Sequence, residues 1–304
     1  MTMRTSSSAP PTTSTSASTK ASKASSVFRD VLALPNGEEH EVAPPVIALD
    51  EDAQTLEHLF RLCYPVERPD ASSLDILVPV LRAADKYHIP HALAALKKDL
   101  ASFVRQSPLR VYAIAYIYKF EDVARMAART LLCAGPTFAF PRITPPEMEM
   151  LPASALSRLL KYRWECVQAA LVDTIRDESE PEVGAEGTPR LNWVWLEINS
   201  CKNGLKQCER LLLKPGEQPG RYYVPRWFAD YIELVRKNLA VRPVGSSVAA
   251  DHPKVAACVR QVSTCTTCGA VACADLWEFS KALAEKVDEA VSQIKLDFPP
   301  YFEE

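Results

Sequence analysis

The residues with the clearest chemical potential are two cysteines in the segment Cys265-Thr-Thr-Cys268-Gly269. Two residues between cysteines is the spacing of a zinc knuckle, in which two thiolates on one tight turn bind the same ion. The glycine permits the turn conformation. Because structural zinc takes four ligands in a tetrahedral arrangement, this pair predicts two further ligands elsewhere in the chain.

Cys201 and Cys208 form a second pair in the same half of the sequence. Six residues lie between them, which is more than the usual two to four between paired zinc ligands. We predict that a structural Zn²⁺ is bound by a set of four cysteines: Cys201, Cys208, Cys265 and Cys268. Such a site would tie the C-terminal part of the chain together in place of a large core. Cys258 and Cys273 flank the knuckle and are the remaining candidates.

Two other interpretations of these cysteines stay open. They are ordinary free thiols in the first, with Cys201 or Cys208 pointing into an aromatic core near Trp193 and Trp195. In the second they are a thioredoxin-like redox pair, which requires a βαβ context that the surrounding sequence hardly offers. Disulfides are not expected, because the sequence lacks a secretory signal and reduced thiols are the rule inside cells.

No other pattern in the sequence indicates catalysis. The glycine-rich phosphate-binding motifs, the G-x-S-x-G elbow and the H-E-x-x-H zinc motif are all missing. His88 and His91 are three residues apart, but Pro90 between them breaks a helix, which favours surface positions at a helix boundary. We therefore predict no catalytic residues, no cofactor-binding residues and no enzymatic activity.

The composition excludes some kinds of partner. The 304 residues are 47% hydrophobic, so the chain can bury sizeable cores, and the net charge of −3 gives no attraction to nucleic acid or anionic lipid. No apolar run is long enough to cross a membrane. Membrane and nucleic acid are therefore not expected as partners, and we expect an intracellular protein, cytoplasmic or nuclear.

Helical periodicity dominates the sequence and predicts a mainly α (α+β) fold with one or few short strands. In the segment from Leu49 to Pro65, acidic residues at the start are followed by an apolar stripe that contains Leu56 and Leu59. The longest stripe is near the C-terminus and consists of Leu276, Phe279, Leu283, Val287, Val291 and Ile294. The scarcity of glycine, with only 9 residues, also favours helices over a turn-rich β fold.

Composition and periodicity divide the chain into five segments. Residues 1–24 are rich in Ser and Thr and are predicted to be a disordered tail. A partial, mostly helical domain at 25–105 and a helical extension at 106–178 follow. An acidic linker at 179–190 leads to a helical C-terminal module with cysteines and tryptophans at 191–304.

Several segments of the first half resemble the BTB/POZ fold as it occurs in fungal proteins. They are "SSVFRDVLALP", the helix ending in "CYP", and "VLRAADKYHI", with "SPLRVYAIAYIYKFEDVARMAARTLL" similar to the helical extension that often follows. The resemblance covers about Ser25 to Arg176 well and the remainder loosely. It implies a non-catalytic adaptor that binds protein partners.

The resemblance starts only at Ser25, and one block of the family pattern is missing. BTB domains begin with a helix, two strands and a further helix, and this block supplies much of the dimer interface. We expect either an incomplete gene model or a truncated variant, and homodimerisation is not expected from the sequence as written.

Two functions therefore follow from the sequence. The first is a protein–protein interaction adaptor of BTB/POZ type. The alternative is a structural-zinc module in a nuclear, transcription-associated protein. The aromatic C-terminal segments could stack on bases, but they lack a dense basic stripe, so core packing is the preferred interpretation.

Overall fold

The computed structural model is mainly helical, as the sequence predicts. It describes residues 2–3, 25–33, 46–64, 66, 72–134, 144–179, 208–213, 222–249 and 251–299. Most of the predicted tail, the linker from residue 180 onward and Cys201 lie outside these residues. Among the described residues, no helix is both long and apolar enough to cross a membrane.

The described elements are mostly helices, with four short strands among them. In chain order they are β1 (Thr2–Met3), α1 (Ser26–Ala33), β2 (Val46–Ile47), α2 (Ala53–Cys63), α3 (Leu74–Lys86), α4 (Pro90–Ser102), α5 (Pro108–Ile117), α6 (Glu121–Ala134), α7 (Ala153–Ser179), β3 (Arg210–Leu213), β4 (Tyr222–Pro225), α8 (Arg226–Val241), α9 (Pro253–Ser263) and α10 (Gly269–Gln293). Strand β1 lies in the predicted tail and pairs in parallel with β2, whereas β3 and β4 are antiparallel.

The chain forms two compact units. The first comprises Met1–Ala127 and Glu147–Met150, and the second comprises Ala128–Pro146 and Leu151–Glu304. In the first unit α2 packs on α3 and α4, and α5 is buried along most of its length. A helix that is apolar on every side is stable only inside a core.

Helix α2 begins and ends where its sequence predicts. The Asp52 side chain accepts a hydrogen bond of 2.8 Å from the backbone N–H of Thr55, which caps the N-terminus. Tyr64 is extended, and the helix ends before it because Pro65 disfavours helical backbone at the preceding residue. Leu56 and Leu59 are buried, which confirms the predicted apolar face.

Helix α1, helix α2 and the end of α3 meet around Phe28 in the first unit. The Phe28 ring stacks on Tyr87 of the "AADKY" segment with centroids 4.6 Å apart, and it lies 5.9 Å from Phe60 of the "CYP" helix. Ser25 caps α1 by accepting from the Phe28 N–H at 3.0 Å and donates to the Tyr87 carbonyl. These contacts join residues that are far apart in sequence into one core.

We predict that Leu59→Ala and Leu81→Ala each destabilise the protein by about 2–5 kcal/mol, the range for deleting a buried leucine side chain. Both side chains are fully buried. Urea unfolding measures the change, with the exposed Leu160 as control, since Leu160→Ala should cost under about 0.5 kcal/mol. A cost that small at Leu59 or Leu81 would show that the assigned core face is wrong.

The segment from Thr144 to Glu147 has the spacing of a capping box, but Glu147 bonds to a different partner. It lies in a 3-10 turn, Pro146–Glu149, and its side chain is only 3% exposed. The guanidinium of Arg110 donates to both carboxylate oxygens at 2.8–3.0 Å. A charge-assisted bidentate pair is stronger than a bond to a backbone N–H, so a tertiary contact fixes this side chain.

The second unit is built around α10, which packs along α7 and α9. Its predicted stripe is buried from Leu276 to Val291, whereas Ile294 lies just after the helix end and is half-buried. From α8, Phe228 and Tyr231 pack edge-on against Phe279 with centroids 5.6 and 6.0 Å apart. The aromatic residues on this face of α8 therefore form a core, as the sequence predicts.

Gly245 allows a short turn to approach α10 closely. Its N–H donates to Asp288 Oδ1 at 2.8 Å, and a Cβ atom at this position would lie 2.4 Å from the backbone oxygen of Ala284. We predict that Gly245→Ala costs about 1–3 kcal/mol, because the helix backbone cannot move away without repacking. Thermal unfolding measures this, and the exposed neighbour change Ser246→Ala should be nearly neutral. Equal melting temperatures for the two variants would contradict the contact.

Candidate metal centre

The Cys265–Cys268 pair lies on a hydrogen-bonded turn between α9 and α10. The Gly269 N–H donates to the Cys265 carbonyl at 2.8 Å, and the Ala272 N–H donates to the Cys268 carbonyl at 2.8 Å. Helix α10 begins at Gly269, directly after the second cysteine. Each cysteine is only 2% exposed, so the turn holds both sulfur atoms inside the protein.

Cys208 lies next to this turn but belongs to another part of the second unit. It precedes β3, which pairs with β4, and β4 leads directly into α8. Two contacts of 2.7 Å fix the residue after it, because the Glu209 carbonyl accepts from the Arg226 N–H and its carboxylate accepts from the Arg226 guanidinium. The hairpin formed by β3 and β4 thus positions Cys208, which is half-buried.

The three sulfur atoms lie at distances that suit one metal ion. The Cys208 and Cys268 sulfurs are 3.7 Å apart, and all three lie within 4.8 Å of one another. Sulfur ligands about 2.3 Å from a tetrahedral zinc are about 3.8 Å apart. The buried cluster Cys208, Cys265 and Cys268 could therefore hold a metal ion without large movement.

The structure brings together three of the four predicted ligands. Cys201 lies outside the described residues, as do Trp193 and Trp195, so its part in the ligand set stays a prediction. Cys258 and Cys273 are not members of the cluster within the described part of the chain. The Cys273 thiol instead faces the Val259 carbonyl at 3.6 Å.

Cys63 and Cys166 have the environment of ordinary thiols packed inside the protein. Burial raises the pKa of Cys63 and of Cys166 to about 11, so both are protonated at neutral pH. Cys63 donates to the Leu59 carbonyl at 3.5 Å inside α2. Cys63 also follows Leu56 and Leu59 at helical spacing, and these observations support a structural role for it.

The histidines with suggestive spacing are at the surface. His88 and His91 are exposed, and His88 has a φ of 50° at the end of α3. Its N–H and that of the next residue bond back to carbonyls of α3, which closes the helix. These positions agree with the prediction of a helix boundary.

Sequence reasoning missed the hairpin that positions Cys208 and the Glu209–Arg226 pair that holds it. The signal was present, because an apolar run, Leu211–Leu213, and a β-prone run, Tyr222–Val224, flank a segment with two Pro-Gly steps. Such a pattern is typical of a hairpin.

Comparison with protein-family models, with curated proteins and with solved structures finds no match for this chain. The arguments for its function therefore come from the site itself.

Proposed function

We propose that this chain is a non-catalytic protein-interaction module whose C-terminal part is stabilised by structural zinc. The observation that carries the proposal is the cluster of Cys208, Cys265 and Cys268, with sulfur atoms within 4.8 Å of one another. Soft thiolate ligands in tetrahedral arrangement favour zinc among the common ions. A fourth cysteine, for which Cys201 is the candidate, completes the ligand set.

Burial of the sulfurs favours a structural role for the ion over a catalytic one. A catalytic zinc keeps one position open to water or substrate, whereas a structural zinc is enclosed by four protein ligands. Two of the three sulfurs here belong to residues that are almost fully buried. The ion would link the β3–β4 hairpin to the turn before α10. It would thereby fix the start of β3, the end of α9 and the start of α10.

Metal analysis of the purified full-length chain tests this proposal. We expect about one zinc per chain, and replacement by Co²⁺ should give the visible absorption of tetrahedral thiolate coordination. Cys268→Ser should lose this absorption, whereas Cys133→Ser, which changes an exposed cysteine, should keep it. Protein that binds neither ion in stoichiometric amount would contradict the zinc site.

The interaction role is supported by aromatic side chains that the second unit leaves at its surface. Trp164 on α7 and Trp277 on α10 are 62% and 51% exposed. Tryptophan is enriched among residues that dominate binding energy at protein interfaces. Trp277 also borders a surface cavity of about 290 Å³ next to Gly245 and Lys281.

The BTB/POZ resemblance supports the same kind of function for the first unit. Its quoted segments meet around Phe28, so the motifs that carry the resemblance belong to one core. We propose that this unit is a BTB-like adaptor domain and that its partner is a protein.

Affinity capture with the tagged chain tests the interaction role. Partners bound through Trp164 or Trp277 should be lost with the alanine change at that residue and kept with the exposed-site control Lys237→Ala. Circular dichroism should show that the variants remain folded. The same proteins captured by wild type, both variants and tag alone would contradict the interaction role.

A further inference from the structure

The sulfurs of Cys208 and Cys268 are close enough to form a redox pair as well as to bind one metal ion. Their sulfurs are 3.7 Å apart, about 1.7 Å more than the S–S bond of a disulfide. Cys208 belongs to the hairpin segment and Cys268 to the turn before α10, so a bond between them would link two elements that are 60 residues apart. The two sulfurs must approach each other by about 1.7 Å for this bond to form.

Accessibility separates the three cysteines. Cys208 is half-buried, whereas Cys265 and Cys268 are almost fully buried. All three lie in a buried cluster, but Cys208 keeps the most solvent exposure of the three residues, so we expect a small oxidant to reach it before the other two. The Cys268 sulfur, 3.7 Å away, lies in position to react with an oxidised Cys208.

We propose that Cys208 and Cys268 form a reversible disulfide when the protein meets a hydroperoxide, and that this releases the bound zinc. The inference rests on the proposed zinc centre and adds a means of regulating it. Zinc binding keeps the cysteines as thiolates, and the thiolate is the form of cysteine that attacks an oxidant.

The reaction proceeds in two steps that balance. The Cys208 thiolate attacks one oxygen of the hydroperoxide ROOH, the O–O bond breaks, and the departing alkoxide takes a proton to leave as ROH. Cys208 is then a sulfenic acid. The Cys268 thiolate attacks its sulfur, the S–O bond breaks, and the departing hydroxide takes a second proton to become water. Two electrons have passed from the two sulfurs to the peroxide, and one S–S bond has formed.

Loss of two thiolates leaves too few ligands for the ion. Cys265, together with the predicted Cys201, cannot supply the four ligands of a structural zinc site. A dithiol reductant returns two electrons, restores both thiols and permits zinc to bind again. Burial raises the pKa of Cys63 and of Cys166, so both are protonated at neutral pH and react slowly by comparison.

Peroxide treatment of the zinc-loaded full-length chain tests the inference. Released zinc is followed with a coloured chelator, and disulfides are mapped by mass spectrometry of peptides digested without reduction. We expect release of about one zinc per chain together with a peptide pair that joins Cys208 to Cys268. Dithiothreitol and added Zn²⁺ should restore the original metal content. Cys133→Ser should behave like wild type, and Cys208→Ser should form no disulfide at Cys268.

The outcomes separate failure of this inference from failure of the zinc centre. Untreated protein without zinc would contradict the centre itself, and the switch with it. Zinc-loaded protein that keeps its ion under peroxide would leave the centre in place and overturn the switch. A Cys265–Cys268 disulfide, or release of zinc without any disulfide, would also overturn it. Mapping on the wild-type chain gives these answers without relying on the folding of a variant.

Discussion

Removal of zinc by excess chelator is expected to abolish the order of the β3–β4 hairpin and of the turn before α10. Apparent zinc-binding free energies of about 10–16 kcal/mol in zinc-finger peptides match the whole stability of a typical domain. The aromatic core around Phe279 is held by ring contacts with Phe228 and Tyr231 and should retain part of the helical structure. The loss should therefore be concentrated in the metal-bound segments.

Hydrogen exchange by mass spectrometry measures this effect. Amides of 208–213 and 265–272 should lose protection after chelation, whereas amides of α3 should be unchanged. Lowering the pH should have the same effect, because protons compete with zinc for the thiolates. Cys133→Ser should respond to chelator as wild type does. Full protection in demonstrably metal-free protein would contradict a structural role for the ion.

Replacement of Arg110 by alanine is expected to cost about 3–5 kcal/mol, the range for leaving one charge of a buried pair without its partner. The Glu147 carboxylate is 3% exposed and is bonded by Arg110 through two nitrogen atoms at 2.8–3.0 Å. Arg110 also contacts the exposed Asp75 at 2.7 Å, which water can solvate after the change. Loss of the partner of Glu147 therefore accounts for most of the expected cost.

Urea unfolding of three variants distinguishes the cost of leaving a buried charge without its partner from the cost of losing an exposed ion pair. Arg61→Ala breaks an exposed pair with Glu57 and should cost under about 0.5 kcal/mol. The double change Arg110→Met with Glu147→Leu should recover most of the stability, because an apolar pair needs no desolvated charge. If Arg110→Ala costs no more than Arg61→Ala, the Glu147 carboxylate is solvated in solution and the buried pair is wrong.

The helices could be predicted because the residues that determine them lie close together in the sequence. The apolar residues from Leu276 to Val291 repeat at the helical period. The ring of Pro65 disfavours helical backbone at the preceding residue and so ends α2. The capping-box spacing of Thr144 to Glu147 does not indicate the partner that Glu147 takes, because Arg110 is 37 residues away. Spacing within a short segment cannot reveal a long-range ion pair that competes with a cap.

The candidate site was predictable in part for the same reason. The Cys265–Cys268 pair is local and has a known spacing, so the sequence identifies it directly. Cys208 was named as a ligand from residue type alone, because the hairpin that brings it to the turn was not recognised. The fourth ligand, Cys201, and the BTB/POZ relationship stay predictions.

The large difference in spacing between the three ligands has a consequence for the order of folding. Cys265 and Cys268 are three residues apart, whereas Cys208 and Cys268 are separated by 60. Closing the longer loop in an unfolded chain costs about 3 kcal/mol more free energy than closing the shorter one, because more chain entropy is lost. A newly made chain should therefore bind an ion first at the local pair. The hairpin would dock afterwards, and the ion would then act as a template for the last step of assembly.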